Sequence, residues 1–231
     1  MINFNDSQTR YLIDYANLKQ GLIKYQNDFI SKDKLHKFYK HKFYGVPLLL
    51  PLGIKYFDYS NAIKFKVSKN EIKKRIFNVS KSDYVGVKIF FKYGNNFCSG
   101  AKIKKKYLKQ LDYIINFNKL IINKIKKFKK NNKAAFQTRN IPHYGHERIF
   151  KEIFKTSDLL IINPLIGLKK KNDCTNYALK KSYDILKKNY NNKLIYLPIL
   201  ANMHYCGPRE ALHHLNLREK FGFNIFTIGR D

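Results

Sequence analysis

Cysteine is scarce in this chain, and what there is does not pair. Cys98, Cys174 and Cys206 lie far apart with no Cys-x-x-Cys spacing, which argues against a disulfide framework or a thiolate metal site and for a reducing compartment. A long apolar run is missing too. The best one, Val46 to Ile54, is interrupted by Pro47, Pro51 and Gly53 and is too short to span a bilayer. The start, Met1 to Asp6, lacks the basic-then-apolar pattern of a secretory signal. A soluble cytoplasmic protein with no membrane partner is expected. Acidic residues are few, 16 against 46 basic, for a formal charge of +30. Such an imbalance fits a polyanionic partner: nucleic acid, an anionic membrane or a phosphate-bearing small molecule. It also fits a coding bias, because Lys, Asn, Ile, Phe and Tyr are abundant and Trp is absent. Arginine is scarce among the basic residues. Only Arg10, Arg75, Arg139, Arg148, Arg209, Arg218 and Arg230 occur, and where Lys serves almost everywhere a retained Arg points to a need for its planar five-donor fork. Five of the seven lie between Arg139 and Arg230, so the chemistry is expected in that segment.

The chain has the length for a substantial core and for two small domains. Residues 14–40 are polar and aromatic with weak helical spacing at Leu18, Leu22 and Tyr25. Ile63 to Val67 alternates as a half-buried strand does, Tyr84 to Phe91 reads as a second strand, and Tyr93-Gly94-Asn95-Asn96 as a turn. Residues 40–106 thus read as a small β-rich unit. From Lys104 to Lys130, Leu108, Leu111, Ile115, Ile121, Ile125 and Phe128 form an apolar stripe among lysines, the mark of one or two amphipathic helices. Beyond them the alternation is regular. Strands are expected at 134–136, 159–162, 194–197 and 223–228, with helices at 147–156, 175–190 and from Pro208. The β-α-β-α-β-α-β order implies an α/β fold with a parallel sheet, and ligands bind such sheets at the carboxyl ends of the strands.

The turn from the first of those strands into its helix holds the densest polar cluster. Gln137-Thr138-Arg139-Asn140 is followed by Pro142-His143-Tyr144-Gly145-His146. A strand-to-helix turn aims backbone N–H groups and the positive end of the helix dipole above the sheet, which favours an anion. The H-x-G-H spacing reads as a triphosphate site, with imidazoles donating to phosphate oxygens and Gly145 giving close access to the backbone. A surface turn carrying two ordinary histidines is the competing reading.

Phe136-Gln137-Thr138-Arg139-Asn140 with Pro142-His143-x-x-His146 resembles the nucleotide-binding signature of the ATP sulfurylase (sulfate adenylyltransferase) family. Asn163-Pro164-Leu165-Ile166-Gly167, Cys206-Gly207-Pro208-Arg209-Glu210-Ala211 and Ile228-Gly229-Arg230-Asp231 resemble that family's later motifs, in the family's order, over residues 130–231. The resemblance implies a Rossmann-like nucleotidyltransferase domain with an H-x-G-H turn over residues 131–231. It implies a small β-rich PUA-like domain with a connecting helix over residues 1–130. The implied reaction converts MgATP and sulfate to adenylyl sulfate and pyrophosphate, or the reverse, with ATP and Mg2+ arriving as substrate and no resident metal. Implied catalytic residues are Thr138, Arg139, Asn140, His143 and His146. ATP would be held by Gln137, Thr138, Arg139, Asn140, His143, His146, Gly229, Arg230 and Asp231, and sulfate by Gln137 and Arg139. Arg209 is expected to serve its own helix start.

The sequence departs from the family at Asn163, where His is usual, and at His204, where Arg is usual. It also stops at Asp231, before the residues that follow Gly-Arg-Asp in the family, so the catalytic domain is expected to be incomplete at its C-terminal side and impaired. Two alternatives stay open: an adenylyltransferase with another acceptor, and a non-catalytic nucleotide- or RNA-binding module. Nucleic acid is not expected as the main partner, and a homo-oligomer is compatible with the reading.

Overall fold

The computed structural model describes residues 2–41, 45–81, 83–167 and 174–229. Helices α1 (Thr9–Lys19) and α2 (Lys32–Lys40) come first. Five short strands follow, β1 (Leu50–Pro51), β2 (Phe57–Asp58), β3 (Ile63–Lys66), β4 (Asn96–Ser99) and β5 (Lys102–Ile103). Between β3 and β4 lie α3 (Lys69–Ile72), a π-helical turn at Lys73–Phe77, and α4 (Val85–Phe90). The long helix α5 (Leu108–Lys127) leads to β6 (Lys133–Phe136). Then come α6 (Tyr144–Ile153), β7 (Leu159–Ile162), β8 (Leu165–Ile166), α7 (Asn176–Leu186), β9 (Leu194–Tyr196), β10 (Ile199–Leu200), α8 (Pro208–Phe221) and β11 (Ile225–Thr227). Among the described residues no helix, α5 included, is long and apolar enough to cross a membrane.

The central sheet has the strand order β11-β6-β7-β9, and every pair in it is parallel. Its two faces follow from strand alternation. Ala134, Phe136, Leu160 and Ile162 point into one apolar cluster with Phe150 and Ile153 of α6 and Leu179 and Tyr183 of α7. Ala135, Leu159 and Ile161 point into the other, with Ile114, Ile121 and Ile125 of α5 and Leu217 and Phe221 of α8. The sheet is thus covered on both sides, as its near-continuous apolar strands require. The β6–β7–β9 path runs outward in one direction, and the chain then returns to set β11 on the other side of β6. The carboxyl ends of β6 and β11 therefore lie side by side where the chain changes direction, which is where a ligand crevice forms in such sheets.

Pro164 and Pro198 end β7 and β9 by removing a ladder donor, yet pairing resumes beyond them. Ile199 N donates to Pro164 O at 3.0 Å, and β8 and β10 form a second parallel pair. Helix α1 packs against α5 and the end of this second pair. Asn17 Nδ2 donates to Leu200 O at 3.1 Å, and Asn118 Nδ2 donates to Asn17 Oδ1 at 2.9 Å. One apolar core runs from Tyr11 to Phe223 and includes residues from both halves of the chain.

Three expectations for the N-terminal half need correction. The segment Tyr84 to Phe91 is not a strand; Val85–Phe90 is helix α4. Its Gly86 lies so close to the 204–205 backbone that a Cβ there would sit 2.4 Å from Tyr205 O. The helix is thus set by tertiary contact rather than by the Val-Gly-Val β pattern. Strand β3 is not half-buried: it is an edge strand of the β1-β4-β3 sheet, and Ile63 is 72% exposed. Of the weakly helical stretch 14–40, residues 14–19 belong to α1, which begins at Thr9 and is buried from there to Leu18, and 32–40 form α2, whereas Leu22 and Tyr25 lie in the non-helical segment between them.

Candidate active site

The site is built on the β6–α6 turn. His143 caps α6 with extended backbone (φ −150°, ψ 170°), and its Nδ1 accepts the Gly145 N–H at 3.1 Å. This satisfies one of the orphan donors of a helix N-terminus. Gly145 has no side chain because a Cβ there would meet His143 Cε1 at 3.0 Å. His146, one turn on, stacks on His143 with ring centroids 4.0 Å apart and 26° between planes. Phe136 meets His146 edge-on at 5.2 Å. Burial, and then the His143 ring, lower the His146 pKa, so this imidazole is neutral at pH 7.

Ahead of the cap, Thr138 Oγ1 accepts the Asn140 N–H at 3.1 Å, a local turn that brings 137–140 over the strand end. Gln137 and Thr138 are half-buried, whereas Arg139, Asn140 and His143 are exposed. Gln137 Nε2 contacts Met203 Sδ at 3.3 Å, and its Oε1 is buried with no partner. A carboxamide with an orphan oxygen and only a sulfur contact for its nitrogen is poised to turn toward a ligand. Thr227 pairs in register with Phe136, so Ile228 and Gly229 leave β11 beside the point where Gln137 leaves β6. Gly229 is exposed. Arg230 and Asp231, the other two residues expected on this loop, lie outside the described residues, as does 168–173 of the loop after Asn163. Asn163 itself is fully buried and donates from Nδ2 to Leu197 O at 2.6 Å.

Beneath the site lies a polar network that the sequence did not reveal. Glu210, in the first turn of α8, accepts the His204 N–H at 3.0 Å, the Cys206 N–H at 3.1 Å and His214 Nε2–H at 2.8 Å. Arg218 Nη1 approaches His214 Nδ1 at 2.9 Å. Guanidinium can only donate, so Nδ1 accepts and His214 is the neutral Nε2–H tautomer. Burial alone would raise the Glu210 carboxyl, but its hydrogen bond to His214 and the surrounding imidazoles hold it far below the usual carboxylate range. Burial lowers Arg218 to about 9 and pushes His213 well down. Arg218 also donates to Asn163 O at 3.3 Å, tying α8 to the loop after β7. The same donor logic applies at Arg10, whose Nη2 meets His204 Nδ1 at 3.1 Å and Met203 O at 3.3 Å. Met203, which touches Gln137, is thereby anchored to α1.

Arg209 is buried and donates to Phe38 O at 2.7 Å, a bond to the distant helix α2 in place of the one expected at its own helix start. Arg10, Arg209 and Arg218 are all buried with several partners, so arginine scarcity was a usable signal for them. Nothing comparable marked Asp14, Glu210 or His214. Arg10, Asp14 and His204 also line a small, partly open pocket with Leu48, Phe77 and Phe90. None of residues 137–146 lines it, so it is not the crevice at the strand ends. Among the described residues no group of three or more His, Cys, Asp or Glu could hold a metal ion.

The family model described as ATP-sulfurylase matches residues 118–231. The chain is similar to a sulfate adenylyltransferase of Thermococcus onnurineus, 27% identical over 250 residues, covering 95% of this chain and 64% of that protein. A sulfate adenylyltransferase of Persephonella marina is 33% identical over 182 residues, 73% of this chain and 45% of that protein. One from Staphylothermus marinus is 44% identical over 100 residues, 42% of this chain and 26% of that protein. The chain thus spans between about a quarter and two thirds of the length of these relatives. Among solved structures it is similar to a hexameric APS kinase from Thiobacillus denitrificans, with a TM-score of 0.56 and 12% identity, over 96% of this chain and 46% of that one. That likeness concerns the fold alone.

Proposed function

Given that residues 118–231 belong to the ATP-sulfurylase family, we propose that this chain carries the nucleotide and sulfate site of a sulfate adenylyltransferase. The observation that supports the reading best is the β6–α6 turn. It gathers Gln137, Thr138, Arg139, Asn140 and the stacked pair His143 and His146 at the carboxyl end of β6, next to the loop leaving β11.

In the proposed reaction a sulfate oxygen attacks the α-phosphorus of MgATP in line. The new S–O–P bond forms as the bond from the α-phosphorus to the bridging oxygen breaks, and pyrophosphate leaves with that electron pair. No covalent enzyme intermediate is needed, so the protein contributes position and charge stabilisation. Arg139 binds the sulfate dianion through two parallel hydrogen bonds. Gln137 donates to the same anion after its amide turns from Met203. Asn140, His143 and His146 hold phosphate oxygens and stabilise the charge on departing pyrophosphate, and Thr138 orients the 137–140 turn. Gly229, Arg230 and Asp231 meet the nucleotide from the neighbouring strand end. Mg2+ arrives with ATP. The same reading takes the antiparallel strands within residues 1–130 as a PUA-like unit and residues 131–231 as the nucleotidyltransferase unit.

The test is calorimetry on the purified chain with ATP, adenylyl sulfate and a short RNA, joined to an assay for ATP formation from adenylyl sulfate and pyrophosphate. Adenylyl sulfate binding that disappears in His143→Ala/His146→Ala, with the melting transition retained, is the expected result. Binding of RNA alone, or nucleotide binding indifferent to the double substitution, would refute it.

A further inference from the structure

Tyr183 projects from α7 into the apolar cluster beneath the β6–α6 turn, and only 1% of it is exposed. Its hydroxyl reaches three groups of that turn. It lies 3.4 Å from Asn140 O and 3.4 Å from His146 Nδ1, and it hydrogen-bonds with the Thr138 side chain. Burial pushes this phenol far above its ordinary value, so the hydroxyl keeps its proton. These are long bonds, of the kind that shorten when a site closes on its ligand. A single proton cannot serve all three neighbours. The Asn140 carbonyl already has the Thr138 hydroxyl at 3.4 Å as a donor. His146 Nδ1 has no donor other than Tyr183 among the described residues.

We propose that Tyr183 is a positioning residue which donates its hydroxyl proton to His146 Nδ1 and so fixes His146 as the Nε2–H tautomer. The neutral ring then offers a donor, rather than a lone pair, to a phosphate oxygen. Without this bond the imidazole is free to take the Nδ1–H form, which presents an acceptor to an anion and repels it. The ring of Tyr183 is held by the cluster and stacks on Tyr196 at 6.2 Å and 27°, so the hydroxyl has little freedom to leave. The inference rests on the proposed role of His146 for its consequence, but the tautomer is measurable without any activity.

The experiment is long-range ¹⁵N–¹H NMR of the histidine rings in the full chain at pH 7.5, with the His146 signals assigned by their loss in His146→Gln. The Nε2–H form is expected in the unsubstituted protein, and a mixture with substantial Nδ1–H in Tyr183→Phe. Pyrophosphate binding, by calorimetry, should weaken about five-fold in Tyr183→Phe, the loss of one neutral hydrogen bond. An Nδ1–H form in the unsubstituted protein overturns the proposal whether or not the variant folds. An unchanged tautomer in a folded Tyr183→Phe overturns it equally. If the expected tautomer shift occurs but the unsubstituted protein binds neither pyrophosphate nor ATP, the positioning role stands and the functional reading of the site fails.

Discussion

Replacing Glu210 by Gln should be among the most destabilising single changes in this chain. The carboxylate is 4% exposed and accepts three N–H groups: His204 N at 3.0 Å, Cys206 N at 3.1 Å and His214 Nε2 at 2.8 Å. A glutamine of the same shape has one acceptor oxygen. Turned toward the backbone, it leaves its NH2 facing the protonated Nε2 of His214, donor against donor. Turned toward His214, it sets that NH2 against two backbone donors. His214 cannot relieve the clash by changing tautomer, because Arg218 donates into its Nδ1. The change also removes the Glu210 charge that faces the buried Arg218 guanidinium through that ring. Breaking one member of a buried charged network costs about 3–5 kcal/mol, a large part of the roughly 5–15 kcal/mol that holds a domain folded. With no tryptophan and 17 tyrosines, urea unfolding is best followed by far-UV circular dichroism and tyrosine emission. Glu219→Gln is the control. Glu219 lies on the outer face of the same helix, 56% exposed in its ion pair with Lys24, and its loss should shift stability by less than about 1 kcal/mol. A Glu210→Gln protein as stable as that control would show that the network carries no net stability.

Three further outcomes follow from the same contacts. Stability should fall as pH drops below about 6.5, because burial lowers the His213 and His214 pKa values while the unfolded chain takes up protons near the ordinary value; the stabilisation is complete above that pH, and urea midpoints that stay flat from pH 7.5 to 5.5 would contradict it. Gly86→Ala should cost about 1–3 kcal/mol in the same urea assay, since the new methyl would lie 2.4 Å from Tyr205 O and 2.5 Å from Phe77 Cε1, and an unchanged midpoint would mean that α4 shifts freely. Arg139→Lys, which keeps the charge but loses the planar fork, should bind adenylyl sulfate at least ten-fold more weakly by an order-of-magnitude argument; equal affinity by calorimetry would mean that the guanidinium does not read the sulfate.

Residue order alone was enough for the four strands of the central sheet, though not for the short β8–β10 pair beyond Pro164 and Pro198. The runs 133–136, 159–162, 194–196 and 225–227 are apolar and flanked by turn residues, and the intervening helices repeat at 3.6. Local periodicity dictates such elements because their burial is nearly independent of which partner covers them. The positions of Gln137 to His146 at a strand-to-helix turn followed from the same pattern. Only the tertiary structure decided the rest. The polar and aromatic stretch from residue 14 shows only weak helical spacing, yet α1 is buried because Arg10 finds His204, Asp14 finds Asn202 and Asn17 finds Leu200 O, each more than 180 residues away. Tyr84 to Phe91 has strand composition, yet Val85–Phe90 is helix α4, whose Gly86 lies against the 204–205 backbone. Glu210, His214 and Tyr183 sit in helices whose periodicity shows that they face inward but not what they meet. A buried polar side chain is tolerated only when its partner is in place. That partner comes from a distant segment, so which polar residues form the interior of this protein is settled by the fold and not by their neighbours in sequence.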